Sequence, residues 1–185
     1  MKPLILASKS PRRKELLELS TIPFQVQAAS IEEVLNTSIP IEEAIIQLAY
    51  EKAYPVFEKN LDSIILGADT VVVLDGKVLG KPNDEDDAIR MLENLSGKRH
   101  QVITGVVLLT KEKEVKFSSI TEVEMYPLEE QEIKEYVATK EPLDKAGAYG
   151  IQGKGSLLIK EIHGDYYTVM GLPIARVVRE LKKCK

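Results

Sequence analysis

The sequence predicts a mixed α/β fold, on three observations. Strand-like and helix-like segments alternate irregularly along 185 residues. Hairpin signals, the strongest at Asp75-Gly76, sit between them. Apolar residues make up 44% of the chain, enough for a sizeable core, and the length suits one domain or two lobes sharing a core.

The elements follow in order. Residues 4–7 read as a short buried strand. Ser10 is a good N-cap and Pro11 a good first helical residue, so a helix runs to about Ser20, where Thr21-Ile22-Pro23 stops it. Residues 24–28 alternate like a strand, and 29–38 are polar and loop-like. Pro40 opens a long helix to about Asn60, with a kink or break expected at Pro55. Residues 63–66 and 71–74 read as two strands separated by a junction, Gly67-Ala68-Asp69-Thr70, and a hairpin leads to Val78-Leu79. Asn83 is the expected cap of the next helix, whose acidic first turn suits the macrodipole, and Gly97 is its C′ residue. Residues 102–110 and 115–126 are strands, and 128–139 a helix. Residues 141–155 are glycine-rich and short on periodicity. Residues 156–162 and 166–170 read as a hairpin around His163-Gly164-Asp165, and a helix from Pro173 closes the chain. No repeat, linker or low-complexity tract is visible, and no domain boundary can be placed. Two lobes around a central cleft is the expected arrangement.

Charge narrows the function. The 25 basic and 29 acidic residues give a net charge of −4, but residues 1–14 carry Lys2, Lys9, Arg12, Arg13 and Lys14 with no acid. An acidic chain with ten aromatics and no tryptophan is a poor nucleic-acid binder. A cationic focus on it suits a small anion. A single cysteine, Cys184, excludes an internal disulfide and a cysteine-based zinc cluster. The first apolar run is too short for a signal-peptide core, and none approaches the roughly 18 residues that span a bilayer, so a cytoplasmic location without membrane contact is expected. The sequon at Asn36-Thr37-Ser38 then has no use. There is no P-loop, no dinucleotide fingerprint, no G-x-S-x-G and no H-E-x-x-H. The two histidines, His100 and His163, read as structural or solvated. Hydrolysis by this chain would rest on carboxylates, cations and a metal.

Five features carry chemistry. Ser8-Lys9-Ser10-Pro11-Arg12-Arg13-Lys14 crowds cations onto the positive end of a helix. They either splay into water or, with free backbone amides, bind a phosphate. Lys52 falls inside the stripe Ile41, Ile45, Leu48, Lys52, Val56, either snorkelling at its edge or held near a buried anion site. Asp69 lies within an apolar run, where a carboxylate is costly unless paired or metal-bound. It either caps its own turn or binds Mg²⁺ and deprotonates a water. Lys81, in Gly80-Lys81-Pro82, follows the hairpin from Asp69 and could face the same cleft. Of the adjacent Glu32 and Glu33, at most one aims at a metal. In residues 144–153, glycines permit close approach of a ligand, and Gln152 offers a donor and an acceptor to a base edge.

Ser8-Lys9-Ser10-Pro11-Arg12-Arg13, Gly67-Ala68-Asp69-Thr70, Gly80-Lys81-Pro82, residues 144–153 and Gly171-Leu172-Pro173 occur in the order and spacing seen in the Maf family, and the chain resembles a full-length member. The resemblance implies a fold similar to that of the inosine triphosphate pyrophosphatases: a long mixed sheet, two lobes and a central cleft. It implies a nucleoside triphosphate pyrophosphatase, with Asp69 as proton acceptor. Arg12, Thr70 and Gln152 match the positions that set substrate choice. Ser8, Ser10, Arg13, Lys52 and Lys81 match the phosphate-handling lining, and Glu32 or Glu33, with Asp69, matches the binding site of a divalent cation (Mg²⁺, Mn²⁺ or Co²⁺). Arg12-Arg13 and Tyr149-Gly150-Ile151-Gln152-Gly153 resemble the branch acting on dTTP and UTP. Family members often form homodimers, so that state is open. The family was first described as septum-formation inhibitors, which gives a second reading: a nucleotide-sensing regulator acting through a protein partner.

Overall fold

The computed structural model describes residues 2–184. It is mixed α/β, as expected, with seven strands in one mixed sheet of order β2-β1-β3-β5-β6-β7 and β4 on β3. The strands are β1 (Leu4–Leu6), β2 (Phe24–Val26), β3 (Ile64–Leu74), β4 (Lys77–Leu79), β5 (Arg99–Leu109), β6 (Glu114–Met125) and β7 (Ile159–His163). The helices are α1 (Pro11–Glu18), α2 (Ile41–Phe57), α3 (Glu85–Leu95), α4 (Glu130–Ala138), α5 (Tyr166–Met170) and α6 (Ile174–Lys182). The chain forms two compact units, neither continuous in sequence.

Among the described residues, the first unit comprises 2–70, 104–119 and 171–184. In it β1 pairs in parallel with both β2 and β3, with Leu4, Ile5 and Leu6 opposite Ile64, Ile65 and Leu66. The core gathers Ile5, Ala7, Ile65, Val107 and Leu109 with the small face of α2: Ala49, Ala53 and Val56. That face brings α2 very close to the sheet. A Cβ on Gly67 would lie 2.6 Å from the Ala49 carbonyl oxygen, and one on Gly105 would lie 2.6 Å from that of Ile45. Glycine in these strands is thus a packing requirement.

The second unit comprises residues 71–103 and 120–170. Its core contains Leu92 and Leu95 from α3, Ile133 and Val137 from α4, Val102, Val123 and Met125 from the strands, and Tyr149 and Leu158 from the segment between α4 and β7. That segment folds as three short 3-10 turns, Glu141–Asp144, Ala146–Ala148 and Gly153–Leu158. Arg99 ties β5 to Glu122 and Glu124 on β6 and reaches Glu161 on β7 beyond it. Lys160 and Arg99 hold the Glu124 carboxyl down at about 2.

Four expectations need correction. Gly67-Ala68-Asp69-Thr70 is no junction: residues 64–74 form one strand, buried on both faces. The small residues that resembled a turn leave room for α2. The second half of the expected 156–170 hairpin is a helix, because Asp165 accepts from the Tyr167 and Thr168 amides and so caps α5. β7 pairs with β6 instead. The cap of α3 is Asp84, which accepts from the Asp87 amide, rather than Asn83. Pro55 does not break α2, which runs two residues past it. Elsewhere the elements fall within a few residues of expectation, and the turn at Asp75 and Gly76 has the two positive φ angles of a tight hairpin. No helix among the described residues is long and apolar enough to cross a membrane.

Candidate active site

The site is built in the first unit from three neighbouring pieces of backbone. The end of β1 continues alongside β3, with the Ala7 amide donating to Leu66 O at 2.8 Å. This carries Ser8 toward the stretch of β3 that holds Asp69. The chain then turns into α1 at Ser10, whose hydroxyl accepts from the Arg13 amide at 3.4 Å. Ser8 Oγ accepts in turn from the Ser10 amide at 3.2 Å. The first turn of α1 contains no acidic residue, so its positive end is uncompensated by its own sequence. α2, lying close over Gly67, brings Lys52 down onto the strand two residues further on.

Asp69 is the centre. It is only 8% exposed. Its Oδ1 accepts from the Thr70 amide at 2.7 Å and lies 3.9 Å from an Arg13 guanidinium nitrogen. Its Oδ2 lies 2.6 Å from Lys52 Nζ. That contact is charge on charge: Oδ2 is buried and takes no hydrogen bond of acceptable geometry. Lys52 Nζ also lies 3.0 Å from Glu33 Oε1, so one ammonium bridges two carboxylates. The Lys52 side chain is 15% exposed, which decides between the two readings of the helix stripe: the charge is held inside rather than snorkelling into water.

Arg13 is buried, and each of its three guanidinium nitrogens donates to a partner. Nε donates to Gly171 O at 2.8 Å, one terminal nitrogen to Thr70 Oγ1 at 3.1 Å and the other to Ser8 Oγ at 3.4 Å. Burial pushes its pKa down, Asp69 pulls it back up, and the neighbouring Arg12 charge lowers it further. Thr70 Oγ1 also meets Thr104 Oγ1 at 2.9 Å.

The structure therefore brings together Ser8, Ser10, Arg13, Glu33, Lys52, Asp69 and Thr70. Arg12 is half-buried beside Arg13 in the first turn of α1. Both glutamates are exposed, and it is Glu33 that makes the Lys52 contact. Lys81 and Gln152 belong to the second unit, both exposed, Lys81 just after β4 and Gln152 just before the last 3-10 turn. Sequence reasoning missed Thr104, and it marked Gly171 only as part of Gly171-Leu172-Pro173, not as a partner of Arg13. Thr104 carried a usable signal, since it is a polar side chain within a buried apolar run, as Asp69 is. The Gly171 contact is made by a backbone carbonyl, for which a sequence gives no sign.

The two histidines play no part here. His100 is buried in the second unit, where its Nε2 lies 2.6 Å from Tyr149 Oη. Burial drives its pKa down to about 4. His163 is exposed beside Glu161.

The fold and this cluster define a class: an α/β protein with one carboxylate set between a lysine and an arginine, beside the open end of a helix. The chain belongs to the Maf family, matching the family model described as "Maf-like protein" over residues 3–184. It is 55% identical over 183 residues to the "dTTP/UTP pyrophosphatase" of Bacillus cereus (strain G9842), covering 99% of this chain and 96% of that one. The protein of the same name from Bacillus cytotoxicus is likewise 55% identical over 183 residues, with the same coverage. Among solved structures, the Ham1 protein of Staphylococcus aureus is similar with a TM-score of 0.46 and 15% identity, over 68% of this chain and 73% of that one. A score that low carries no argument.

Proposed function

We propose that this chain hydrolyses dTTP and UTP to the monophosphate and pyrophosphate, clearing unwanted pyrimidine nucleotides from the precursor pool. The observation that carries the proposal is the Lys52–Asp69–Arg13 cluster, in a chain 55% identical to proteins named for that activity. The triphosphate lies over the N-terminus of α1, where the positive end of the helix faces it and the Ser8 and Ser10 hydroxyls donate to its oxygens. Arg12, Arg13, Lys52 and Lys81 offset its charge. Asp69 Oδ1 is engaged by the Thr70 amide, so Oδ2 is the oxygen left to take a proton from water. The water oxygen bonds to phosphorus, the phosphorus–oxygen bond to the pyrophosphate group breaks, and pyrophosphate leaves with the electron pair. Most of the rate comes from position and charge stabilisation. Gln152 pairs with the O4/N3 edge of the pyrimidine, while Arg12 and Thr70 shape the choice of substrate. A site that hydrogen-bonds a base edge rejects the wrong base because its own groups are left unpaired.

A divalent cation is part of this reading. Among the described residues no three His, Cys, Asp or Glu side chains are grouped to hold one alone. Glu33 and Asp69, which converge on the Lys52 ammonium at 3.0 and 2.6 Å, nevertheless fit a magnesium-type ion in that ammonium's place, since such an ion takes one or two carboxylates and draws its other ligands from water and substrate phosphates. When bound it supplies charge neutralisation at the phosphate oxygens. No observation favours the second reading, a septum-formation regulator acting through a partner.

The test is pyrophosphate release from dTTP, UTP, dCTP, dATP and GTP with Mg²⁺ or Mn²⁺. The proposal expects pyrophosphate from dTTP and UTP and at most weak release from the purines. Equal rates on all five remove the selectivity, and orthophosphate as the product removes the reaction.

A further inference from the structure

The glycines of the 144–155 segment do something other than open a path for a ligand. A Cβ on Gly147 would lie 3.0 Å from Val72, and one on Gly150 would lie 2.8 Å from Lys145. A Cβ on Gly153 would lie 2.9 Å from Glu141 Oε2, and one on Gly155 would lie 2.7 Å from Tyr136 Oη. Gly147, Gly150 and Gly153 make room for the protein's own side chains, Gly155 makes room for the Gly150 carbonyl as well as for Tyr136, and three of the four crowd around Glu141, Tyr136 and Lys145.

Glu141 is the hub. Its Oε1 accepts from the Gly155 amide at 3.0 Å and from Tyr136 Oη at 3.1 Å, and its Oε2 accepts from the Lys154 amide at 3.2 Å. Tyr136 Oη accepts in turn from the Gly150 amide at 3.2 Å. Lys145 Nζ donates to Glu141 O at 2.6 Å and lies against Gly150. The loop is therefore fixed at 150 on one side of Gln152 and at 154 and 155 on the other. Burial works to raise the Glu141 carboxyl, and the Gly155 and Lys154 amides with Tyr136 and Lys145 overcome it and hold it down. The ionised form is thus the one the loop is built around. A carboxylate spending its acceptors on backbone amides is a costly way to hold a surface loop unless its shape matters.

We propose that Glu141, seconded by Tyr136, is a positioning residue for base selection: it holds the loop that carries Gln152 in the shape that reads the pyrimidine. This inference rests on the Gln152 reading above. Glu141 does not touch the reacting phosphate in this account, so its loss acts on recognition and leaves the chemical step.

The experiment compares wild type, Glu141→Gln, Tyr136→Phe, Gln152→Ala and the double variant Glu141→Gln/Gln152→Ala in steady-state kinetics on dTTP, UTP and dATP. Gln keeps the size of Glu141 but presents an NH2 group to one of the two amides, breaking that contact. The expected result for Glu141→Gln is a rise in KM for dTTP and UTP of about tenfold with kcat nearly unchanged, and a matching loss of preference over dATP. Tyr136→Phe shifts the same quantities less and keeps the test open if Glu141→Gln does not fold. The double variant is no worse than Gln152→Ala alone, because both changes remove one function. Unchanged selectivity in the folded Glu141→Gln or Tyr136→Phe protein, or an equal fall in kcat for all three nucleotides, overturns the inference while Gln152→Ala still shows its own loss. Undiminished selectivity in Gln152→Ala overturns the Gln152 reading and this inference with it.

Discussion

Asp69 and Arg13 show how much one residue can hold. Asp69 sits between two cations, inside a strand that is buried on both faces. The sequence made this visible as a carboxylate in an apolar run, and its paired state follows from the cost of burying a lone charge. The partners were less legible: Lys52 is seventeen positions away on a helix, and only its place in an apolar stripe marked it. Arg13 divides its fork among Gly171, Thr70 and Ser8. Arg13→Lys keeps the charge and loses that fork. It should cost about 1–3 kcal/mol in a urea titration and most of the activity. A variant of wild-type stability would show that the fork is not structural.

At the scale of elements, the strand–helix contact positions the site. Gly67 and Gly105 let α2 lie almost on the backbone of β3 and β5, and this contact sets Lys52 over Asp69. Gly67→Ala must push α2 away, since a methyl group there would meet backbone at 2.6 Å. The expected cost is about 1–3 kcal/mol of stability with a drop in turnover, read by denaturation and pyrophosphate release. Undisturbed activity would separate α2 packing from the site. The same glycine misled the sequence reading, because Gly-Ala-Asp-Thr has turn-like composition and its packing partner lies outside any local window. The Tyr166–Met170 helix misled it for a related reason: its residues favour strands, and the Asp165 cap decides the outcome. A second element-scale prediction concerns His100, which joins β5 to Tyr149. Its folded pKa is depressed from 6.5 to about 4, so the unfolded chain binds the extra proton between those values. Stability is then fully present above about pH 6.5 and falls as pH drops toward 4, by up to about 3 kcal/mol. Urea midpoints across that range should show the slope in wild type and not in His100→Phe; equal slopes would assign it elsewhere.

For the whole molecule, the sequence carried the mixed α/β class and a sheet with both parallel and antiparallel pairs, now seen as β1/β2 and β1/β3 against β3/β4 and β6/β7. It could not place a boundary, and the reason is physical. The two units divide within β3, β5 and β6, between residues 70 and 71, 103 and 104, and 119 and 120, so no linker exists to be read. Net charge acts at this scale too. An acidic chain with a basic first segment should lose affinity for a triphosphate as salt screens it, with KM rising several-fold between about 0.05 and 0.5 M salt and kcat changing little. Duplex DNA should not compete. Inhibition by DNA that disappears with added salt would mean the basic segment serves a polymer after all.

The central claim is that Asp69 drives pyrophosphate release from a pyrimidine triphosphate. The most direct measurement follows dTMP and pyrophosphate from dTTP with wild type and Asp69→Asn, each checked for native circular dichroism. The account predicts equal amounts of the two products from wild type and at least about a thousandfold slower turnover in the folded variant. Turnover by folded Asp69→Asn within a few-fold of wild type would contradict it.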